Sequence, residues 1–261
     1  MVEANKKIDE KNNKGGKKPK KGGIFATLRM VLYAILAAVI LRTIALEPFN
    51  IPSGSMIPSL MVGDYLFVSK YSYGYSKFSL PWSLPLWSGR ILGGLPERGD
   101  VAVFKLPRDN DTDYIKRIIG LPGDTIQVKN GVVFVNNQPI KQHKLKDFVY
   151  LDSNGHTRRL EQYQETLPSG VQYNVLDATP FGALDDTPLY TVPMKHYFAM
   201  GDNRDNSLDS RVISAVGYIP EENLVGRAEF IFYSTNGAAD IWEIWKWGDA
   251  TRFERVFKSI K

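Results

Sequence analysis

A long apolar segment near the N-terminus dominates the hydrophobic pattern. Residues 30–41 are an unbroken run of 12 apolar side chains between Arg29 and Arg42. That run is too short to cross a bilayer, but the 23 residues of 24–46 would form a helix of about 34 Å, against roughly 30 Å of hydrocarbon. Both arginines lie near the ends, where long side chains reach the interface. The pattern predicts a single transmembrane helix over 24–46, ended by Pro48.

Two other interpretations of this segment remain open. It could be a buried helix of a soluble protein, although the polybasic stretch before it argues against that. It could also be a cleaved signal peptide, because residues 43–45 read Thr-Ile-Ala, a small–x–small cleavage pattern. Against cleavage, the preceding charged region is unusually long and Arg42 would adjoin the cut. A retained anchor is the interpretation that we carry forward.

Beyond Pro48 the pattern changes to short β-branched and aromatic runs separated by Gly, Pro and Asp turns. Asn130 and Gly131 between two such runs indicate a hairpin. Amphipathic helices are predicted only at 240–247 and 251–260, and the polar stretch 136–195 is expected to form an inserted β-ribbon subdomain. The fold class is therefore mainly β, with 47–261 as one domain. The predicted strands are 65–69, 101–105, 125–129, 132–135, 197–200 and 225–233.

The net charge of +5 belongs entirely to the N-terminal tail. Residues 1–22 hold eight lysines and three acidic residues, a balance of 8 − 3 = +5, so the rest of the chain is neutral. This distribution excludes a basic nucleic-acid-binding domain and predicts a disordered cytoplasmic tail over 1–23. Positive charge before the helix places the following domain on the extracytoplasmic side. Because the chain has no cysteine, disulfides, thiolate zinc sites and cysteine nucleophiles are excluded.

Ser53 and Ser55 lie in a Pro/Gly-rich loop, 52–60, directly after the anchor. A serine nucleophile needs a group that takes its proton. The three histidines, at 143, 156 and 196, lie in no triad-like motif, although the sequence does not exclude a triad. A desolvated lysine can replace histidine. In a strand beginning at 113, Lys116 would share one face with Tyr114 and Ile118, which makes it a candidate base. The alternative is an ordinary strand with a solvated basic pair at 116–117.

A third stretch, 201–211, combines turn-forming residues with both signs of charge. Its acids at 202, 205 and 209 lack the alternating spacing and central glycine of an EF-hand loop, so a calcium site is not favoured. A loop held by its own hydrogen bonds and ion pairs is the simpler interpretation.

Together these segments resemble type I signal peptidases, the bacterial leader peptidases. The motifs occur in the family's order and approximate spacing, and the similarity extends from about 49 to 234. They read PSGSMIPSL (52–60), RGDVAVFKLP (98–107), DYIKRIIGLPGD (113–124), GDNRDNSLDSR (201–211) and GRAEFIFYS (226–234).

The resemblance implies a β-fold shared with LexA-type proteins and a Ser–Lys dyad, with Ser55 as nucleophile and Lys116 as general base. It implies that the Ser55 N–H and the Ser53 hydroxyl form the oxyanion hole, and that Ser207 orients the lysine. The implied supporting residues of the 201–211 loop are Asp202, Arg204, Asp209 and Arg211. The implied small substrate pockets, which explain an Ala-x-Ala preference, are lined by Ile51, Pro52, Met56, Leu60, Tyr114 and Ile115.

The expected activity is removal of signal peptides from secreted preproteins, without a metal or organic cofactor. The expected setting is the bacterial inner membrane, with the bilayer and the secretion translocase as further partners and no nucleic acid. Two alternatives are a LexA-type self-cleaving protein, which would carry a DNA-binding domain, and an inactive membrane-tethered assembly protein, which would have lost Ser55 or Lys116. Tryptophans at 82, 87, 242, 245 and 247 are candidates for interfacial anchoring.

Overall fold

The computed structural model describes residues 24–80, 83, 89–151, 155–179, 181–238 and 243–260, and for 40–44 and 151 it describes the backbone alone. The predicted tail 1–23, and Trp82, Trp87 and Trp242, lie outside the described residues. The chain divides into two compact units, Met1–Val39 and Ile40–Lys261.

Helix α1 runs from Ile24 to Ile44. Its large apolar side chains are exposed, with Phe25 at 87%. In the part of the chain that the structure describes, no helix has the length and apolar character that a membrane crossing requires. The predicted end at Pro48 is wrong, because the chain leaves the helix at Ile44 and Pro48 lies within strand β1, Leu46–Asn50. Since β1 is the edge strand of its sheet, the missing N–H of proline is tolerated there.

A seven-stranded antiparallel sheet forms the centre of the second unit, in the order β1-β2-β15-β3-β4-β13-β14. The predicted strands at 65–69, 101–105, 197–200 and 225–233 are confirmed within it. Its strands are β1 (Leu46–Asn50), β2 (Asp64–Ser69), β3 (Val101–Lys105), β4 (Asp113–Gly120), β13 (His196–Met200), β14 (Ile219–Pro220) and β15 (Leu224–Ser234).

The chain between β4 and β13 forms two smaller sheets. In the first, the predicted hairpin at Asn130 and Gly131 is confirmed, and both residues have positive φ, 48° and 75°, as a tight hairpin turn requires. Its order is β12-β5-β6-β7, so this sheet begins before residue 136. The second has the order β11-β10-β8, with β9 also paired to β10. The bounds are β5 (Thr125–Lys129), β6 (Val132–Val135), β7 (Gln138–Pro139), β8 (Lys141–Lys144), β9 (Phe148–Leu151), β10 (Thr157–Thr166), β11 (Gln172–Asp177) and β12 (Tyr190–Thr191).

The C-terminal segment differs from its predicted helices. Of 240–247, the described residues form a 3-10 turn, Ile244–Lys246, followed by the short helix α2, Trp247–Ala250. The prediction of a helix over 251–260 is wrong. The backbone there pairs with β15 instead: Phe257 N–H donates to Ile231 O, and Ile231 N–H donates to Lys258 O. Hydrogen bonds to a strand of the large sheet replace those that a helix would have made within itself.

Candidate active site

Ser55 lies in a 3-10 turn, Gly54–Met56, between β1 and β2. Met56 and Leu60, on the same turn and just after it, are fully buried in a core cluster with Leu66 and other side chains of the large sheet. This burial anchors the loop from below, while Ser55 itself is 8% exposed. The apolar residues around the serine therefore hold a short turn rigidly at the surface of the sheet.

Lys116 reaches Ser55 from the middle of β4. Its Nζ donates a hydrogen bond to Ser55 Oγ at 2.6 Å and another to the carbonyl of Ile115 at 3.0 Å. The ammonium also lies 5.3 Å from the centre of the Tyr114 ring. Register places Lys116 opposite Ala102 of β3, a small side chain. The structure thus brings together two residues that lie 61 positions apart in the chain.

Burial changes the acidity of this lysine. The side chain is 4% exposed, and desolvation lowers the pKa of Lys116 from 10.5 to about 8, although Asp209 and Asp202 partly oppose the shift. A pKa near 8 leaves a useful fraction of neutral amine at physiological pH. A neutral amine that touches a serine hydroxyl is a base able to take its proton.

The two other serines assigned by resemblance lie beside the pair. Ser53 Oγ is 3.5 Å from Ser55 Oγ. Ser207 lines one groove together with Ser53, Ser55 and Lys116. Its buried hydroxyl has no hydrogen-bond partner among the described residues, so it makes no hydrogen bond to Lys116. Gly201 is what allows the close packing here, because a Cβ at that position would lie 2.2 Å from Ser207 Oγ and 2.5 Å from the Ser55 carbonyl oxygen.

The 201–211 loop is held by buried ion pairs. Asp209 accepts from Arg211 Nε and Nη2 at 2.9 Å each, and from the Gly201 N–H at 3.0 Å. Burial alone would raise the pKa of Asp209, but the adjacent Arg211 holds it below its usual value. Asp202 pairs with Arg117 and Arg204 pairs with Glu165, and both partners lie outside the loop. All four charged residues named by resemblance are therefore buried and paired.

The sequence did not identify Arg117 or Glu165 as partners of this loop. Arg117 binds Asp202 through two hydrogen bonds, at 2.8 and 2.7 Å, and stacks on Tyr173 at 4.1 Å. Alternation places Arg117 on the opposite face of β4 from Lys116. The smaller sheets cover that face, so the side chain is fully buried. Glu165 lies on β10, within the stretch 136–195 that the sequence predicts to be an insertion, and it accepts a hydrogen bond from Arg204.

A groove of about 750 Å³ runs past Ser55 and Lys116. Four of the residues assigned to substrate pockets line it: Ile51, Pro52, Tyr114 and Ile115. Met56 and Leu60 do not line it, since both point into the core beneath the turn. The groove is also lined by Leu184, Leu208 and Val212, which the sequence did not predict.

One group of acidic residues could hold a cation. Oxygens of Asp177, Asp185 and Asp205 lie within 4.8 Å of one another, and this is the one such grouping in the described ranges. Burial, with the charges of the other two, raises the pKa of Asp177 to about 6. Neither the serine nor the lysine needs this cluster for proton transfer.

The family model and the curated relatives agree on one family. The family model described as signal peptidase, peptidase S26, matches residues 24–233. The chain is 38% identical over 245 residues to proteins named signal peptidase I from Rickettsia canadensis and Rickettsia typhi, covering 87% of this chain and 90% of each relative. A crystal structure of a signal peptidase I from Enterococcus faecalis is 25% identical, with a TM-score of 0.30, over 51% of this chain and 97% of that one.

The family match covers most of the chain, including the turn of Ser55 and the strand of Lys116. The chain therefore belongs to the type I signal peptidases, peptidase family S26, and is a serine endopeptidase.

Proposed function

We propose that the chain is a membrane-anchored peptidase that removes signal peptides from secreted preproteins, with Ser55 as nucleophile and Lys116 as general base. The observation that carries the proposal is the 2.6 Å hydrogen bond between Lys116 Nζ and Ser55 Oγ, made by a lysine whose pKa burial lowers to about 8. Relatives named signal peptidase I support the substrate class.

In the first half of the reaction, Ser55 Oγ bonds to the scissile carbonyl carbon while its proton passes to neutral Lys116. The oxyanion that forms accepts hydrogen bonds from the Ser55 N–H and the Ser53 hydroxyl. The Lys116 ammonium then gives its proton to the leaving amine as the C–N bond breaks. The product is an ester between the signal peptide and Ser55.

In the second half, neutral Lys116 takes a proton from water, and the hydroxide attacks the ester carbonyl. The C–O bond to Ser55 breaks, and the lysine returns the proton to Ser55 Oγ. The signal peptide leaves with a free carboxylate, so the sum of both halves is hydrolysis of one peptide bond.

The groove suits an extended substrate. In the described part of the sheet, β13 pairs with β4 only over 117–120, so residues 113–116 are paired on one side alone, with β3. A peptide could add there as a strand, with backbone hydrogen bonds for affinity and alternate side chains in pockets for specificity. Pockets bounded by Ile51, Tyr114 and Ile115 would admit alanine and exclude larger groups, which accounts for an Ala-x-Ala preference.

The membrane setting rests on apolar surface. Apolar side chains of α1 are exposed, and so are four aromatic side chains near the C-terminus, Trp245, Trp247, Phe253 and Phe257. In a bilayer such side chains would lose contact with water. Lysines before α1 favour a cytoplasmic N-terminus and an extracytoplasmic catalytic domain in the bacterial inner membrane. Ser55 lies nine residues beyond Leu46, about 30 Å of extended chain, which keeps the cleavage site near the membrane.

The test is cleavage of a preprotein by the purified full-length chain in detergent. Ser55→Ala and Lys116→Ala are expected to abolish cleavage, whereas Ser169→Ala and Lys129→Ala, which remove exposed side chains of the same types, should leave it intact. Full activity in either of the first two variants would contradict the dyad. The intact mass of the membrane-extracted protein tests the anchor, since loss of residues 1–45 would contradict a retained helix.

A further inference from the structure

A buried ion pair joins β10 to the loop that supports the active site. Arg204 Nη1 and Nη2 donate to Glu165 Oε1 and Oε2 at 2.6 and 2.5 Å. Glu165 is completely buried and Arg204 is 5% exposed. Arg204 Nε has no hydrogen-bond partner among the described residues, so the guanidinium meets its carboxylate end-on. A buried pair of this kind holds its two elements in one relative position.

The carboxylate of Glu165 is held from its own side of the pair. Tyr173 Oη donates to Oε2 at 2.7 Å, and Gln142 Nε2 donates to Oε1 at 3.0 Å. Burial would raise the pKa of Glu165, but the charge of Arg204 and these donors hold it below its usual value. The side chain therefore stays ionised and fixed by β8 and β11, and Arg204 must adapt to it.

Asn203, the neighbour of Arg204, binds the turn of Ser55. Its Nδ2 donates to the Gly54 carbonyl at 2.9 Å, and its backbone N–H donates to the Ser55 carbonyl at 3.1 Å. Just before it, the Asp202 carbonyl accepts from the Leu176 N–H of β11 at 2.8 Å. The β8–β10–β11 sheet thus contacts the 201–211 loop on both sides of Asn203, at Asp202 and at Arg204. Asn203 in turn contacts the turn of Ser55.

The Gly54 carbonyl and the Ser55 N–H belong to one peptide group, which is planar. The hydrogen bond from Asn203 to the Gly54 oxygen therefore also sets the direction of the Ser55 N–H, which points to the opposite side of the same plane. That N–H is the proposed donor to the oxyanion. A small rotation of the plane would misdirect it without changing the groove walls.

We infer that Glu165 is a positioning residue for the reaction: by holding Arg204 it fixes Asn203, and Asn203 aims the Ser55 N–H at the oxyanion. The inference rests on the proposed role of Ser55. It assigns the β8–β10–β11 sheet a part in catalysis although none of its residues contacts the nucleophile. Because the oxyanion exists only in the transition state, loss of aim lowers kcat rather than raising KM.

The test compares Glu165→Gln with Glu161→Gln in the full-length enzyme, using a fluorogenic peptide with an Ala-x-Ala site. Glu161 lies on the same strand, in an exposed pair with Lys144, and is the matched control. We expect Glu165→Gln to lower kcat at least about tenfold with KM within about twofold, and Glu161→Gln to change neither. Hydrogen exchange at the Asn203 amide should accelerate in Glu165→Gln and stay unchanged in the control Glu161→Gln.

Tyr173→Phe provides a second variant in case Glu165→Gln does not fold. It removes one donor to Glu165 and keeps the ring that stacks on Arg117, so a several-fold fall in kcat at unchanged KM is expected. Wild-type kcat and exchange in either folded variant would overturn the inference, as would a rise in KM alone. Activity in Ser55→Ala would refute the proposed nucleophile instead, and the exchange measurement would still report whether Glu165 holds the turn.

Discussion

The buried amine of Lys116 should make both activity and stability depend on pH, in ways that can be measured separately. A lysine of pKa about 8 is neutral in about one molecule in ten at pH 7, in half at pH 8 and in about nine in ten at pH 9. If the neutral amine is the base, kcat/KM rises about tenfold between pH 6 and pH 7 and levels off above about pH 9.

The same shift has a cost in folding free energy. Moving the pKa from 10.5 to about 8 corresponds to about 3 kcal/mol against the charged form in the folded state. Between pH 8 and 10.5 the unfolded chain binds more protons than the folded one, so stability rises with pH across that window. The cost is present in full below pH 8, where Lys116 is charged in both states.

Lys116→Met separates the two effects. It removes the base, so activity should vanish, but it also removes the buried charge, so below pH 8 the folded state should gain up to about 3 kcal/mol. The gain should disappear as the pH rises from 8 to 10.5. The measurement is the pH dependence of thermal unfolding in one detergent, alongside the pH profile of peptide cleavage.

Lys70→Met is the matched control. Lys70 is also buried, at 3% exposed, but its Nζ lies 2.9 Å from Glu47 and away from the groove. Removing it leaves a carboxylate without this partner, which costs about 3–5 kcal/mol, so this variant should be less stable and not more. A cleavage profile that is flat from pH 6 to 9, or a Lys116→Met variant less stable than wild type at pH 7, would refute the reasoning.

Two substitutions near Ser55 give further predictions. Gly201→Ala would place a Cβ 2.5 Å from the Ser55 carbonyl oxygen, so the cleavage rate and the melting temperature should both fall. Gly248→Ala, which has open space around it, should change neither. Normal activity in Gly201→Ala would contradict the packing. Ser53→Ala should lower kcat about a hundredfold at nearly constant KM, measured by steady-state peptide cleavage against Ser169→Ala; an effect on KM alone would argue against a role at the oxyanion.

Local patterns in the sequence were sufficient for most strands of the large sheet. Alternation located 65–69 and 101–105 in that sheet, and turn residues located the Asn130 hairpin in a smaller sheet, because alternation and turn formation depend on neighbours in the chain. They failed at 251–260, where the pattern suited a helix but the backbone pairs with β15. The predicted helix end at Pro48 failed for a similar reason, since a proline ends a helix but is also tolerated on an edge strand such as β1. In both cases a distant strand decided the outcome.

By itself the sequence determined which residues could carry the chemistry: two serines in a rigid loop, a lysine in an apolar strand, and a loop rich in paired charges. Only the tertiary structure decided that Arg117 is buried and that Glu165 belongs with the active-site loop. Alternation along a strand assigns side chains to faces, but whether a face is covered depends on elements far away in the chain. The low pKa of Lys116 has the same origin, because desolvation is a property of everything packed around the amine.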